Sequence, residues 1–235
     1  PDALFLSGCF CTSAITVVVG FQIVVAPDKT PGALAELNDI EIGAGGLICR
    51  LQEEGCHTFK WLAFSRCCVS LGPDMPADTL ECEFHECADF LGIDDRHVLD
   101  YPVRAMPAYR QEILEALMQT RRDFNPDVVV APCLEDVHQD HSTVAQEALR
   151  AFKCSASVLG YELPWNNVSF SSRVFVRLTE AQVRRKWLAL AHYHSQQRLG
   201  RTYFCEGFVS SWARMRGAQC GAMFAEAFDV PRAVF

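Results

Sequence analysis

Positive charge is scarce in this sequence: 21 Lys and Arg stand against 29 Asp and Glu, giving a net charge of −8. Nucleic-acid binding needs a basic footprint to replace counterions along phosphates, so no DNA or RNA partner is expected. Low-complexity stretches are missing from the 235 residues, half of which are apolar. One core of ordinary size follows, in a single domain over residues 1–235 with an apolar lead-in over about residues 1–20. The 12 cysteines contain no C-x-x-C element, only Cys9-x-Cys11, the Cys67-Cys68 pair and scattered singles. That pattern offers neither a redox motif nor a zinc ribbon, and it reads as reduced thiols in a cytoplasmic protein. Residues 3–27 carry no charge at all. The run is long enough to span a bilayer, but Ser, Thr, Cys and Gly interrupt it and β-branched blocks at Val17-Val18-Val19 and Ile23-Val24-Val25 favour a buried strand. A membrane anchor is the disfavoured alternative, and with Pro1 in place of Met an upstream signal segment stays open.

What is present is an alternation. A β-branched run at residues 22–26 is followed by a loop, a glycine-rich turn at Gly43-Ala44-Gly45-Gly46, and a helix with Leu47, Ile48 and Leu51 on one face. The order recurs: an apolar run at 58–64, a helix aligning Leu80, Phe84, Cys87 and Leu91, a short run at 97–100 and a helix over about 108–122. A strand at 127–131 and a helix aligning Val144, Ala148, Leu149 and Phe152 come next. Strands alternating with helices predict an α/β fold, a mostly parallel twisted sheet with helices on both faces, Rossmann-like. Beyond Ser155, extended segments at 158–162 and 170–177 and a helix from Glu180 towards Gln196 are expected at a sheet edge and over the mouth of the site. In such a sheet, ligands bind beyond the carboxyl ends of the strands, which directs attention to the loops after Ala26 and Ala131.

The second of these loops holds Glu135-Asp136-Val137-His138-Gln139-Asp140-His141, two imidazoles and three carboxylates in seven residues. Such density is costly in a core and suits a metal or acid–base site. The plainer alternative makes Asp140 the cap of a helix starting near Ser142 and leaves the histidines solvated.

Taken with its surroundings, this segment resembles the N-acetylglucosaminyl-phosphatidylinositol deacetylase-like, or LmbE-like, family. The resemblance rests on Ile23-Val24-Val25-Ala26-Pro27, Glu41-Ile42-Gly43-Ala44-Gly45-Gly46, Pro126-Asp127-Val128-Val129-Val130-Ala131-Pro132 and the H-x-D-H element at His138 to His141. Tyr161-Glu162-Leu163-Pro164-Trp165, Tyr193-His194-Ser195-Gln196 and Ala225-Glu226-Ala227-Phe228 continue it in order. The family's first strand ends in A-H-P-D-D-E, whose His and second Asp bind zinc and whose first Asp is the general base; the last His of H-x-D-H is the third protein ligand. Carried over, the resemblance implies His141 as that third ligand, with Asp140 and His138 supporting proton transfer and a protonated His138 holding the oxyanion. The activity it implies is zinc-dependent hydrolysis of an acetamide on an amino sugar or glycoconjugate.

The first motif departs from the family. Counted back from the glycines, Asp39 falls on the zinc-binding Asp, Asn38 on the general base and Glu36 on the zinc-binding His; counted forward from the strand, Asp28 follows Ala26-Pro27 where the His belongs and residues 29–37 form an insertion. The candidate metal set is therefore Asp39 and His141 with Asp28 or Glu36, one imidazole and two carboxylates, a harder set than zinc usually has. Asn38 occupies a catalytic position but cannot act as a base. Weak or absent zinc is one consequence, and a family member that only binds a ligand or partner is the alternative function.

Arg66 and Trp165 are candidate substrate contacts, Trp165 as a face for a sugar to stack on. Cys82-x-x-His85-x-Cys87 resembles a metal cluster but lacks a fourth ligand. Gly43 to Gly46 lack G-x-G-x-x-G and P-loop spacing and read as a tight strand-to-helix turn, and Arg184-Arg185-Lys186 as a solvated helix face.

Overall fold

The computed structural model describes residues 14–19, 37–55, 57–68 and 71–234. Among the described residues seven strands form one sheet in the order β3-β2-β1-β4-β5-β7-β6. The first five are parallel neighbours: β1 (Ala14–Val19) lies between β2 (Thr58–Ala63) and β4 (Val128–Pro132), with β3 (Arg96–Val98) outside β2 and β5 (Ser157–Tyr161) beyond β4. The helices between them are α1 (Asp39–Glu54), α2 (Thr79–Leu91), α3 (Arg110–Phe124) and α4 (Gln139–Phe152). Then come β6 (Val174–Leu178), α5 (Glu180–Leu190), α6 (His194–Arg198), α7 (Glu206–Gln219) and β7 (Phe224–Arg232).

This is the mostly parallel α/β sheet that the alternation predicts. A parallel strand covered on both faces reads as a continuous apolar run, as β4 does with Val129, Val130 and Ala131 all shut from solvent. From β1 the chain crosses through α1 to β2 on one side, and from β4 through α4 to β5 on the other. Right-handed crossovers in opposite directions place α1 and α4 on opposite faces and make the gap between β1 and β4 the topological switch point. α1 packs with α2 and α5 on its face, α7 packs against α5, and α3 packs on α4.

Several local readings change. The strand between β2 and β4 is Ala14–Val19, and residues 22–26, read as that strand, lie outside the described residues. Gly43 to Gly46 are not a turn but the middle of α1, which starts at Asp39. They are small because α1 is packed hard: a Cβ on Gly43 would collide with the Tyr161 ring, and one on Gly46 would sit 2.8 Å from Glu226 Oε1. Residues 158–162 are not at the edge, because β7 pairs antiparallel with β5 and leaves β6 outermost. The helix from Glu180 stops at Leu190 and resumes at His194. Tyr193, at φ −82° and ψ 68°, leaves the helical region there and its ring enters the core. Among the described residues no helix is long and apolar enough to cross a membrane.

Candidate active site

Two helix starts meet at the switch point. α1 begins at Asp39, with Asn38 at its N-cap, and both are almost fully buried. α4 begins at Gln139 with His138 as its N-cap: the ring Nδ1 accepts the Asp140 amide at 3.3 Å. The expected alternative of an Asp140 cap at Ser142 is thereby corrected, since the helix starts three residues earlier and Asp140 is already inside it. Freed from capping, Asp140 uses Oδ2 to accept the Arg104 amide at 2.7 Å, and its Oδ1 is buried.

His141, one residue further along α4, is fully buried. Its Nε2 lies 3.2 Å from Asp39 Oδ2, and its Nδ1 lies 2.6 Å from Asp136 Oδ2. Two positions separated by 102 places in the sequence thus lie side by side. Nε2 has no aligned hydrogen-bond acceptor despite that proximity. An imidazole nitrogen and a carboxylate oxygen that bind one zinc tetrahedrally, each at about 2.0–2.1 Å, are themselves about 3.3 Å apart. The pair therefore fits two corners of a metal site, with the buried Nε2 aimed where an ion would sit. Among the described residues no group of three His, Cys, Asp or Glu side chains could hold a metal ion. Asp28 and Glu36, the candidates for the third corner, lie outside the described residues.

Asp136 is the residue that sequence reasoning passed over. It stands in the dense segment, but nothing local distinguishes it from Glu135, which is exposed. Its Oδ1 accepts the His138 amide at 2.8 Å and its Oδ2 faces His141, with Asn166 Nδ2 3.4 Å away. A carboxylate behind a ligating imidazole fixes its tautomer and orientation.

The electrostatics follow from this packing. Burial alone would lower the pKa of His141, but Asp136 first and Asp39 second reverse the effect and raise it to about 10. Burial would raise Asp136, yet the facing His141 outweighs it and holds the carboxyl below its ordinary value. His138 is pushed down to about 3, by burial first and then by the positive charge of His141. A neutral ring whose Nδ1 accepts from the Asp140 amide carries its proton on Nε2. Burial raises Asp140 to about 6.

Trp165 stacks on Tyr203 at 3.8 Å between ring centroids and directly precedes Asn166, so it stands beside the site. Arg66 lies past the end of β2, exposed, in an ion pair with Glu81 at 3.1 Å. Cys82 is exposed, Cys87 is in the core, and His85 accepts from Arg96 at 2.9 Å, so these three do not converge. Lys186 is not a solvated charge: it is buried against Glu226 at 2.8 Å.

Comparison with known proteins bears on the same residues. The family model described as PIG-L, GlcNAc-PI de-N-acetylase, matches residues 34–152, just over half of the chain and the span that holds both helix starts. The chain belongs to this family. A curated relative, the uncharacterized deacetylase YaiS of Escherichia coli (strain K12), is 26% identical over 186 residues, covering 76% of this chain and 98% of YaiS. Among solved structures, N,N'-diacetylchitobiose deacetylase from Pyrococcus horikoshii superposes with a TM-score of 0.72 at 17% identity, over 94% of this chain and 84% of that one. GalB, the 4-carboxy-2-hydroxymuconate hydratase from Pseudomonas putida KT2440, gives 0.70 at 19% identity, over 95% and 98%. At these identities the structural likeness establishes the fold, and a deacetylase and a hydratase share it.

Proposed function

We propose that the protein is a zinc-dependent hydrolase that removes an N-acetyl, or other N-acyl, group from an amino sugar or glycoconjugate. The observation that carries this reading is the Asp39–His141 pair, buried and 3.2 Å apart, with Asp136 behind the imidazole. Family membership and the deacetylase relatives support the reaction class.

Asp39 and His141 would hold the metal, completed by Asp28 or Glu36. When bound, the ion supplies Lewis acidity to the amide carbonyl and to an attacking water. Asp136 keeps the His141 ring oriented, so that Nε2 rather than Nδ1 faces Asp39. His138, neutral with its proton on Nε2, donates a hydrogen bond towards the carbonyl oxygen as charge builds there. Asp140, whose proton leaves near pH 6, is suited to moving a proton towards the departing amine. Asn38 has no proton to exchange, so the base is Asp140 or a carboxylate of residue 28 or 36. Trp165 and Arg66 are the proposed sugar contacts, and the cytoplasmic location expected from the cysteine pattern belongs to the same reading.

Asn38 in the slot of the base also favours a second reading, a member that keeps the pocket and binds without turnover. Zinc content of the purified protein and acetate release from N-acetylglucosamine conjugates separate the two. Folded protein that binds no zinc and frees no acetate leaves only the second.

A further inference from the structure

We infer that Tyr193, Lys186 and Glu226 form a buried polar clamp on α1 that holds Asp39 against His141, which makes them positioning residues for the proposed metal site. The inference rests on the metal reading given above.

The clamp grips main chain on both sides of Asp39. Tyr193 donates its hydroxyl to the carbonyl of Leu37 at 2.8 Å, and the same oxygen lies 2.6 Å from Glu41 Oε1. Lys186 Nζ donates to the carbonyl of Ile42 at 2.5 Å and to Glu226 Oε1 at 2.8 Å. The two oxygens of Glu226 accept the amides of Gly46 and Leu47, each at 2.7 Å. Tyr193, Lys186 and Glu226 are 0%, 3% and 5% exposed.

A helix ordinarily satisfies its interior carbonyls and amides from its own turns. Side-chain partners at Ile42, Gly46 and Leu47 are therefore not needed to form α1, but they fix where it sits. Nor does stability alone explain the ion pair, since a buried ammonium and carboxylate lose so much hydration that apolar replacements are often as stable. The helix is shaped to receive it: a Cβ on Gly45 would lie 3.0 Å from Lys186 Cγ, and one on Gly46 would press on Glu226. Tyr193 reaches Leu37 only because α5 and α6 break apart at that residue. All three gripping side chains come from the part of the chain beyond residue 152, outside the family-matched segment that holds His138, Asp140 and His141.

The test uses the whole chain with Tyr193→Phe, which removes one oxygen, and Lys186→Met. Two quantities are read: amide exchange in residues 37–46 relative to α3, and affinity for cobalt(II) with its visible absorption as the metal probe. The clamp predicts faster exchange confined to the start of α1, a changed cobalt spectrum, and cobalt affinity lower by about 10-fold or more, the scale seen when outer-shell partners are removed. The kcat should fall with KM unchanged. Unchanged exchange overturns the inference, as does faster exchange with wild-type cobalt affinity. Should Tyr193→Phe fail to fold, Lys186→Arg, which keeps the charge but misplaces it, is judged on the same two readouts. Wild-type protein that takes up no cobalt sinks the metal reading instead, and the clamp is then decided by exchange alone.

Discussion

Asp136 Oδ2 lies 2.6 Å from His141 Nδ1, and the opposite ring nitrogen faces Asp39. A single imidazole thus ties two carboxylates together across the switch point, one from its own loop and one from α1. Asp136→Asn keeps the shape but removes the charge and leaves one acceptor for the two partners, the His138 amide and His141 Nδ1. Zinc affinity measured by chelator competition should drop by about 10- to 100-fold with the fold intact. An unchanged affinity would mean that Asp136 is only a loop staple.

His141→Ala should abolish both metal uptake and acetate release, since His141 supplies the one imidazole of the proposed metal set. His138→Ala should spare the metal and lower turnover by about 100-fold or more, through lost oxyanion and proton-transfer support. Metal analysis alongside acetate release checks both; a His138→Ala protein that loses its zinc would remove the distinction drawn between the two histidines.

Asn38→Asp should raise the rate of acetate release, because it restores a carboxylate where the family has its base. The new group would be almost fully buried, as Asn38 is, so its gain should be largest above neutral pH, where a buried carboxyl has lost its proton. A rate below that of the wild type at every pH would show that another carboxylate already fills the role.

Glu83 gives a pH dependence of stability away from the site. Burial raises its pKa above the ordinary 4.5, only partly offset by the Ser195 hydroxyl and amide that bond to it. The folded chain then keeps this proton at pH values where the unfolded chain has released it, so stability falls as pH climbs from about 4.5 to the raised value and is level beyond. Glu83→Gln should remove that slope, and thermal melts across pH 4 to 8 would show the variant gaining on the wild type as pH rises. A constant gap between the two would contradict the assignment.

The family motifs and the periodicity made much of this molecule legible in advance. The strands of the parallel half announce themselves by short apolar runs and the helices by aligned apolar faces, because both periods are set by residues next to one another in the chain. His138, Asp140 and His141 crowd one loop, so they too could be singled out locally. Asp39 could be matched to His141 only through the resemblance, and the fold then brings them together.

Other features had no local mark. Nothing near Asp136 says that it, rather than Glu135, turns inward towards His141; the bend of the loop into α4 decides that. The glycines of α1 look like a turn in the sequence, and only the closeness of Tyr161 and Glu226 explains them. Lys186 sits in a basic run that reads as solvated, yet its partners Ile42 and Glu226 lie 144 and 40 residues away. β7 separates β5 from β6, so a strand pairing across some seventy residues overrides the order of the chain. The sequence determined which segments become strands and helices, because those preferences act over a few residues. The tertiary structure decided which polar groups meet, because a buried hydrogen bond between distant positions exists only once packing has removed water from both partners.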